Sequence, residues 1–423
     1  MCHKIFHVAE LIDDLPGDGV DFARNCSDMT AFDKSAAAAG MHKMHHVMQR
    51  PPFERIALLL QGGGALGAYQ GGVYQALAEA NLHPDWVAGI SIGALNAALV
   101  AGNPPEKRVA RLREFWETVS TAPFGVSYLS SVKIKDELTH RWINHLRALG
   151  TLLWGAPGFF APRIPAPLPF IPGNADALSY YDVTALKTTL KRLVDFDLIN
   201  AGVIRFSVGA VNVRTGNFVY FDNTTHVIGP EHIMASGSLP PGLPATEIQG
   251  EHYWDGGLVS NTPLQWVLSG KPRQDTLAFQ IDLWNARGRL PRNLIEAEVR
   301  QKEIRFSSRT RAATDDFKKE QLLRRAAHHL LQRLPDELRQ LPQANFLAGE
   351  ADEKVYNIIN LIYHSQNYEG SSKDYEFSRR TMEEHWQAGY NDAVRTLRHP
   401  EVLQRPQNHD GVFTFDLARD GRE

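Results

Sequence analysis

The stretch of sequence that decides the fold is Ile56–Gly67, Ile-Ala-Leu-Leu-Leu-Gln-Gly-Gly-Gly-Ala-Leu-Gly. Its first five residues are apolar and are followed by glycines, a pattern typical of a strand buried on both faces of a parallel sheet. Three adjacent glycines interrupt the strand, and residues 68–80 then show helical periodicity. Because glycine has no Cβ, an oxygen atom can approach this backbone and accept hydrogen bonds from consecutive N–H groups.

A second strand and turn follow the first helix. The short apolar run Trp86–Ile90 leads into Gly89-Ile90-Ser91-Ile92-Gly93, a G-x-S-x-G match, and then into a helix of small residues. Strand, serine turn and helix are the context of a nucleophile elbow, in which the flanking glycines let the hydroxyl project above the sheet. The N-terminus of the following helix favours an oxyanion beside the serine. We therefore predict that Ser91 is a nucleophile; the alternative is a chance match in an ordinary turn.

The glycine run has two interpretations. Three of its glycines match G-x-G-x-x-G, the fingerprint of dinucleotide binding after a strand. In that fold the next strand ends in an acidic residue that binds the ribose, whereas here it ends in Ser91, and Asp85 lies at its other end. We therefore favour an oxyanion hole. Its predicted donors are Gly62, Gly63, Gly64 and Ala65, and Gly67 supports the turn.

A further residue with catalytic chemistry is Asp255, which ends the short aromatic run Tyr253-Trp254-Asp255 and precedes Gly256 and Gly257. The two glycines would let its carboxylate approach another turn of backbone, where it can accept the serine proton directly. The alternative is a tight Asp-Gly turn without a catalytic role, which is the commonest use of this dipeptide. The residues alone leave both interpretations open.

Composition argues against several classes of protein. Of the 423 residues, 43% are hydrophobic and 22% are charged, which is ordinary for a globular protein, and the net charge of -3 gives no electrostatic argument for nucleic-acid binding. Both cysteines, Cys2 and Cys26, precede the first strand, which argues against a disulfide framework or a zinc cluster. We recognise no secretory signal and no run typical of a membrane span. We therefore expect a cytoplasmic protein whose membrane contact, if it has any, is peripheral.

Together, the glycine run, the G-x-S-x-G turn and the downstream Asp-Gly-Gly resemble the motifs of the patatin-like phospholipases, over roughly residues 55–283. Ala235–Pro244 and Asn261-Thr262-Pro263 belong to the same match. The resemblance implies a three-layer α/β fold with a central, mostly parallel sheet. It also implies a Ser-Asp dyad without histidine, in which Ser91 is the nucleophile and Asp255 is the general base, with the glycine run as the oxyanion loop.

Four segments are predicted along the chain. Residues 1–53 mix small, polar and histidine residues without periodicity, and we expect a disordered leader. Residues 54–285 are predicted to form the patatin-like hydrolase domain, residues 286–400 a mainly helical extension packed on the core, and residues 401–423 a tail. Within the extension, the β-branched run 355–363 is predicted to add a strand to the sheet. The charged helices at 296–341 are interpreted as a solvated pair, with a basic membrane-facing surface as the alternative.

Residues 152–172 form an unusual apolar segment. They include six prolines, four aromatic residues and a single charge, Arg163. Such a composition is incompatible with a regular helix or a central strand. We predict either a loop packed on the core or an apolar lid near the substrate.

The predicted activity is hydrolysis of a carboxylic ester of an acyl lipid through an acyl-Ser91 intermediate, with no metal or cofactor. One alternative is an intracellular esterase or polyester depolymerase with a Ser-Asp-His triad, for which His364 is the candidate histidine. The other is a non-catalytic lipid-binding protein. The expected partner is a lipid or acyl-ester substrate and not a nucleic acid; the oligomeric state and the preferred head group do not follow from the sequence.

Overall fold

A mostly parallel β-sheet lies at the centre of the fold. The computed structural model describes residues 49–121, 137–167, 178–307, 310–365 and 372–416, all of which belong to one compact unit, Met48–Glu423. The strands are β1 (Arg55–Leu60), β2 (Trp86–Ile90), β3 (Ala161–Pro162), β4 (Tyr181–Asp182), β5 (Arg205–Asn212), β6 (Phe218–Asp222), β7 (Thr246–Ile248), β8 (Glu251–Asp255), β9 (Thr276–Asp282), β10 (Tyr356–Ile362) and β11 (Val412–Phe415).

Nine of these strands form one sheet, in the order β11-β10-β9-β1-β2-β5-β8-β7, with β6 also paired to β5. The six strands from β11 to β5 run parallel to their neighbours in that order. The pairs that β5 makes with β6 and β8, and that β8 makes with β7, are antiparallel. The remaining two strands, β3 and β4, pair only with each other among the described residues.

Helices cover both faces of the sheet. They are α1 (Ala68–Glu79), α2 (Ile92–Ala101), α3 (Pro105–Val119), α4 (Glu137–Trp154), α5 (Thr184–Leu193), α6 (Phe196–Asn200), α7 (Pro230–Ser236), α8 (Leu264–Leu268), α9 (Leu294–Phe306), α10 (Thr310–Arg333), α11 (Asp336–Arg339), α12 (Pro342–Glu350) and α13 (Arg379–Leu397). Apolar residues of α1, α2, α3 and α13 share one core cluster, and those of α8 and α10 share a second cluster. This arrangement confirms the predicted three-layer α/β fold.

The central strands are buried on both faces. Every residue of β1, β2 and β9 is buried. Parallel strands covered by helices on both sides bury all of their side chains, which explains the continuous apolar run that predicted β1. In contrast, β9 contains the buried polar residues Thr276, Gln280 and Asp282, and no uninterrupted apolar run marks it in the sequence.

The C-terminal part of the chain completes the sheet. β10 pairs with β9, which confirms the strand predicted at residues 355–363. β11 pairs with β10, so the tail predicted for residues 401–423 is corrected at residues 412–415, whose aromatic and β-branched composition suits a strand. The leader predicted for residues 1–53 lies outside the described residues as far as residue 48, and Phe53 is buried.

One other prediction, that of a solvated pair of charged helices, can be compared with the fold. In the charged helices α9 and α10, many cations pair with a nearby carboxylate. These pairs are Arg300–Glu303, Lys302–Asp374, Lys319–Asp316 and Arg324–Glu320. Such pairing favours the solvated helix pair over a basic membrane-facing surface.

The last long helix, α13, packs directly against α1 through glycines. A Cβ at Gly72 of α1 would overlap the carbonyl of Trp386, and a Cβ at Gly389 of α13 would overlap the carbonyl of Tyr69. The two helix backbones are therefore in contact, and any larger residue at these positions would force them apart. Since α1 directly follows the glycine run, this contact joins the C-terminal part of the chain to the helix behind the candidate site.

We predict that Gly389→Ala destabilises the protein, because the new methyl group meets backbone and not a flexible side chain. Overpacked cores typically lose about 1–3 kcal/mol, and we expect a loss of at least this size. Gly349→Ala is the matched control. Nothing lies within 4 Å of a Cβ at Gly349, which is in α12, so alanine should stabilise the protein by up to about 1 kcal/mol through helix propensity. Urea unfolding of both variants measures the difference, and equal stabilities would contradict the close packing of α13.

Candidate active site

Ser91 lies at the apex of a strained turn between β2 and α2. Its backbone has φ of 56° and ψ of -125°, a conformation that residues other than glycine rarely adopt away from functional sites. A Cβ at Gly89 would overlap the carbonyl of Gly93, and a Cβ at Gly93 would overlap the carbonyl of Leu60. Glycine is therefore required on both sides of the serine, as the sequence motif implies. The turn places Ser91 at the N-terminus of α2 with its side chain partly exposed.

The register of the sheet brings Asp255 next to Ser91. Because β6 occupies one edge of β5, β2 and β8 share the other edge. On that edge Ile90 pairs with Gly209, and Asp255 pairs with the next residue, Ala210. β2 ends at Ile90 and β8 ends at Asp255, so the residues at these two strand ends meet. The Ser91 hydroxyl lies close enough to the Asp255 carboxyl to lower its pKa.

The Asp255 carboxyl is removed from water. Its residue is only 2% exposed, and the N–H of Gly257 donates to Oδ1 at 2.7 Å. Burial raises the pKa of Asp255 to about 6, although the nearby Ser91 hydroxyl and the hydrogen bond from Gly257 oppose this shift. At neutral pH the carboxyl is therefore still ionised, and it is a stronger base than an exposed aspartate.

Residues 62–65, which we call the oxyanion loop, lie beside the serine. A Cβ at Gly62 would lie 3.0 Å from the Cβ of Ser91. Gly64 has φ of 56°, in the left-handed region that favours glycine, and begins a single turn of 3-10 helix that leads into α1. The glycine run therefore lies next to the nucleophile predicted from the elbow, as the sequence interpretation requires.

Two of the four N–H groups predicted as oxyanion donors in this loop are already hydrogen-bonded in the structure. The N–H of Gly62 points at the carbonyl of Asn261 at 3.4 Å, and the N–H of Ala65 donates to the carbonyl of Asp374 at 2.7 Å. Neither group is free to face an oxyanion. The two glycines between them have no backbone acceptor for their N–H groups within the described residues, and they remain the candidate donors.

Three side chains that the sequence analysis did not assign support these backbone turns. Asn261 Nδ2 and Trp284 Nε1 donate to the carbonyl of Gly62 at 3.0 and 2.9 Å. The hydroxyl of Ser236 accepts the N–H of Ser91 at 3.0 Å. Asn261 and Ser236 fall within stretches that carry the family resemblance, so that resemblance is a signal that could have identified them. No sequence motif marks Trp284.

An apolar cavity of about 240 Å³ opens beside Ser91 and Asp255. Ser91, Asp255 and the three glycines of the oxyanion loop line one part of it. Its other walls include the apolar residues Leu95, Leu152, Phe159, Phe160, Leu243 and Phe377. A cavity with polar groups at one end and apolar walls elsewhere suits an elongated ligand with a polar reacting group.

Phe159 and Phe160 come from the apolar segment predicted to be either a packed loop or a lid, and they pack into the core. Phe159 is 7% exposed, and both rings make edge-to-face contacts with Phe377, at centroid distances of 5.8 and 6.1 Å. Because both also line the cavity, they are fixed wall residues as well as core residues. The part of the segment at residues 168–172 lies outside the described residues.

Two family models match the sequence. A model described as "Patatin-like phospholipase" matches residues 58–268, and one described as "Patatin phospholipase" matches residues 304–409, together about three quarters of the chain. The chain belongs to the patatin-like phospholipase family. The first match contains Ser91 and Asp255, and the second contains Asp374, so both matched regions of this patatin-like phospholipase contribute residues to the candidate site.

Matches to curated proteins are local. The chain is 41% identical over 61 residues to a patatin-like phospholipase domain-containing protein of Caenorhabditis elegans, and 37% identical over 89 residues to one of Aspergillus terreus. These alignments cover 14% and 21% of the chain, but they span only 6% and 12% of the relatives' own length. They agree with the family and provide no information on the relatives' remaining domains.

Among solved structures, the chain is similar to VipD from Legionella pneumophila, at 14% identity and a TM-score of 0.37, over 91% of this chain and 78% of VipD. It is also similar to ExoU from Pseudomonas aeruginosa, solved in complex with SpcU, at 15% identity and a TM-score of 0.27, over 71% of this chain and 61% of that chain. TM-scores this low support no inference from either structure. The assignment of the chain to its family therefore rests on the sequence matches.

The histidine of the alternative triad lies elsewhere in this patatin-like phospholipase. His364 Nδ1 lies 3.1 Å from the side-chain amide of Asn285, and His364 does not line the cavity that contains Ser91 and Asp255. In the described part of the chain, no group of three or more His, Cys, Asp or Glu residues is placed to hold a metal ion. None of the described helices combines the length and apolarity that crossing a bilayer requires.

The raised pKa of Asp255 predicts a pH-dependent stability difference between the wild type and Asp255→Asn. The pKa of Asp255 is about 6 in the folded protein and has an ordinary value of 3.8 when exposed. The folded protein therefore binds the proton more tightly than the unfolded chain, and the stability that this gives below about pH 4 is lost as the pH rises through 6. Asparagine carries no charge. At pH 8 the variant should therefore be the more stable protein, by up to roughly 3 kcal/mol for a shift of this size.

Urea unfolding at pH 8 and pH 4.5 measures this difference, which should shrink at the lower pH because the wild-type carboxyl is then largely protonated. A difference that stays the same at both pH values would contradict the assignment of the raised pKa to Asp255.

Proposed function

We propose that the chain hydrolyses carboxylic esters of acyl lipids with a catalytic dyad of Ser91 and Asp255. The observation that carries the proposal is the juxtaposition of the Ser91 hydroxyl and the buried Asp255 carboxyl at one end of an apolar cavity. The family is one of phospholipases, which supports a lipid as the substrate. The acyl chain would occupy the apolar part of the cavity, with the ester carbonyl at Ser91.

In the proposed reaction, Asp255 accepts the proton of Ser91 while Oγ attacks the ester carbonyl carbon. The carbonyl oxygen becomes an oxyanion, which the N–H groups of Gly63 and Gly64 and the N-terminus of α2 stabilise. Asp255 then donates the proton to the leaving alcohol as the carbon–oxygen bond breaks, and an acyl-Ser91 ester remains. Water repeats the sequence, and the fatty acid and the free serine are released.

The pKa of about 6 suits Asp255 to this role. A general base is most effective when its pKa lies near the working pH, because it is then mostly ionised and still binds a proton strongly. An exposed aspartate would be ionised but too weak a base. Burial therefore provides part of the basicity that a histidine provides in a triad.

We also propose that the mouth of the cavity contacts a lipid surface. Large apolar side chains are exposed around it and form what we call the apolar rim. These are Leu149, Leu152, Leu153, Trp154, Ile164, Tyr180 and Leu239. Their segments are neighbours at the opening, because Tyr181 donates from its hydroxyl to the carbonyl of Leu152 at 2.9 Å and from its N–H to the carbonyl of Gly242 at 3.0 Å.

A lipid surface is the occupant favoured by this position. Leu152, Leu239 and Gly242 also line the cavity, so the apolar rim is continuous with the site proposed for the acyl chain. A protein bound permanently over the same rim would close the entrance. An exposed tryptophan and leucines around an apolar opening suit the boundary between water and acyl chains. Action in the cytoplasm stays a prediction from the sequence.

We predict that Ser91→Ala lowers hydrolysis of a soluble p-nitrophenyl ester and of phospholipid vesicles by at least about a thousandfold, because the nucleophile is removed. Alanine fits the turn, so the melting temperature should change little. A fluorophosphonate probe should label the wild type and not the variant. His364→Ala is the control and should keep its activity.

A folded Ser91→Ala protein with wild-type activity would overturn the dyad, and an inactive but folded His364→Ala protein would replace it with a triad. A wild type that binds vesicles, is not labelled by the probe and hydrolyses neither ester would support the non-catalytic alternative.

For the apolar rim, we predict that Leu153→Ser with Trp154→Ser weakens binding to phosphatidylcholine vesicles and slows hydrolysis of vesicle lipids by about tenfold or more, because apolar contact area is lost. Hydrolysis of a short soluble ester should be nearly unchanged. Phe346→Ser, at a residue of α12 that is 74% exposed, is the matched control and should affect neither substrate. Equal losses on both substrates would argue against membrane contact at this rim.

A further inference from the structure

The C-terminal part of the chain holds the end of the oxyanion loop. The N–H of Ala65 donates to the carbonyl of Asp374 at 2.7 Å, and a Cβ at Gly64 would overlap the same carbonyl oxygen. On the other side of the loop, His385 of α13 places Nδ1 3.4 Å from the carbonyl of Ala65. Residues far from the glycine run in sequence therefore contact it directly.

The beginning of the loop is held from the same part of the chain. The carbonyl of Phe306, the last residue of α9, accepts a hydrogen bond from Asn261 Nδ2 at 2.7 Å. Asn261 Nδ2 also donates to the carbonyl of Gly62 at 3.0 Å. The Phe306 ring packs on Trp284, whose indole N–H donates to Gly62 as well. Both ends of the loop thus depend on contacts with residues after position 300.

An ion pair joins the Asp374 segment, which holds the end of the loop, to α9, which supports its beginning. Lys302, on α9, places Nζ 2.6 Å from Oδ1 of Asp374, and both side chains are largely buried. The same ammonium lies 5.8 Å from the ring centroid of Trp284 and 5.3 Å from that of Tyr375. A charge held between a carboxylate and two aromatic rings has little freedom to move. The pair therefore fixes Asp374 relative to α9.

We propose that Lys302 and Asp374 are positioning residues that aim the N–H groups of Gly63 and Gly64 at the oxyanion. The inference rests on the proposed hydrolysis at Ser91. The ion pair holds the Asp374 residue, its carbonyl holds Ala65, and the two glycine N–H groups immediately before Ala65 are thereby oriented.

The loop needs such support because it has little regular structure of its own. Gly63 has φ of 174° and Gly64 has φ of 56°, so consecutive residues of the loop differ widely in conformation. Glycines are also the residues whose backbone is least restricted sterically. Preorganised donors stabilise an oxyanion only when they are already aimed at it before the reaction. Contacts that hold the loop in place therefore contribute to the proposed stabilisation of the oxyanion.

This role has a specific kinetic signature. Lys302 is not among the residues that line the cavity, and the oxyanion exists only after Ser91 attacks. Loss of the ion pair should therefore lower kcat and leave KM nearly unchanged, because stabilisation is lost in the transition state and not in the bound substrate. A role in packing alone would lower the melting temperature without this selective effect on kcat.

The test compares Lys302→Met, Asp374→Asn and the double variant. Each single change should lower kcat for the soluble ester by about tenfold to a hundredfold, the size expected for misplaced oxyanion donors. The double variant should be no worse than either single one, because both remove the same ion pair. Lys302→Arg, which keeps the charge, should recover most of the activity. Lys319→Met, which breaks the exposed pair with Asp316 in α10, is the control and should match the wild type.

The variants are expected to fold because a second ion pair, Lys373–Glu303 at 2.7 Å, still joins α9 to the Asp374 segment. Affinity for a trifluoromethyl ketone analogue, which forms an oxyanion on Ser91, should fall in parallel with kcat/KM in both single variants. If Lys302→Met does not fold, the kcat values of Asp374→Asn and Lys302→Arg are compared instead, since the first removes the ion pair and the second keeps it.

Single variants that fold and keep kcat within about twofold of the wild type would overturn the positioning role, as would a rise in KM with kcat unchanged. If either of these results is found and Ser91→Ala is inactive, the proposed dyad still stands and only the positioning role is rejected. A fully active Ser91→Ala protein would instead remove the proposed function itself.

Discussion

The arrangement of the site depends on one contact, that of the Ser91 hydroxyl with the buried Asp255 carboxyl. A carboxylate away from water is costly, and the nearby Ser91 hydroxyl and the hydrogen bond from the Gly257 N–H offset only part of that cost. The geometry is reliable because it comes from the sheet. β2 and β8 end at the same point on one edge of β5, so backbone pairing sets the distance and few side-chain torsions are involved.

The two backbone turns at the site are held in different ways. The turn at Ser91 is held partly within its own motif, because Gly89 packs against the carbonyl of Gly93, and partly by Leu60 of β1 and Ser236, which contact Gly93 and the Ser91 N–H. The oxyanion loop has no comparable local constraint. Its carbonyls and N–H groups are held by Asn261, Trp284 and Asp374, each from a different part of the chain. The turn of the proposed nucleophile thus depends largely on a short motif, whereas the proposed oxyanion hole depends on contacts from distant parts of the chain.

This difference explains what could be predicted from the sequence. The apolar run of β1 and the G-x-S-x-G elbow are local patterns with local causes, so strand, turn and helix could be placed in advance. From the residues alone Asp255 stayed ambiguous, and only the family resemblance assigned it; the register of the sheet brings it to Ser91. The assignment of Ala65 as a donor followed from its place next to the glycines and missed Asp374, because no periodicity or spacing connects the two residues. β11 was missed for the same reason, since a four-residue strand is recognisable only beside its partner β10.

The C-terminal part of the chain is therefore a structural component of the fold and not an accessory to it. Without it, β9 would become an edge strand although all seven of its residues are buried, and its polar backbone groups would lose the partners that β10 provides. The face of α1 that carries Gly72 would lose α13, and the cavity would lose the wall formed by Phe377. Each of these losses occurs close to the glycine run. Because the part of the chain that completes the sheet also supplies residues that hold the oxyanion loop, folding of the C-terminal part and formation of a competent site are coupled.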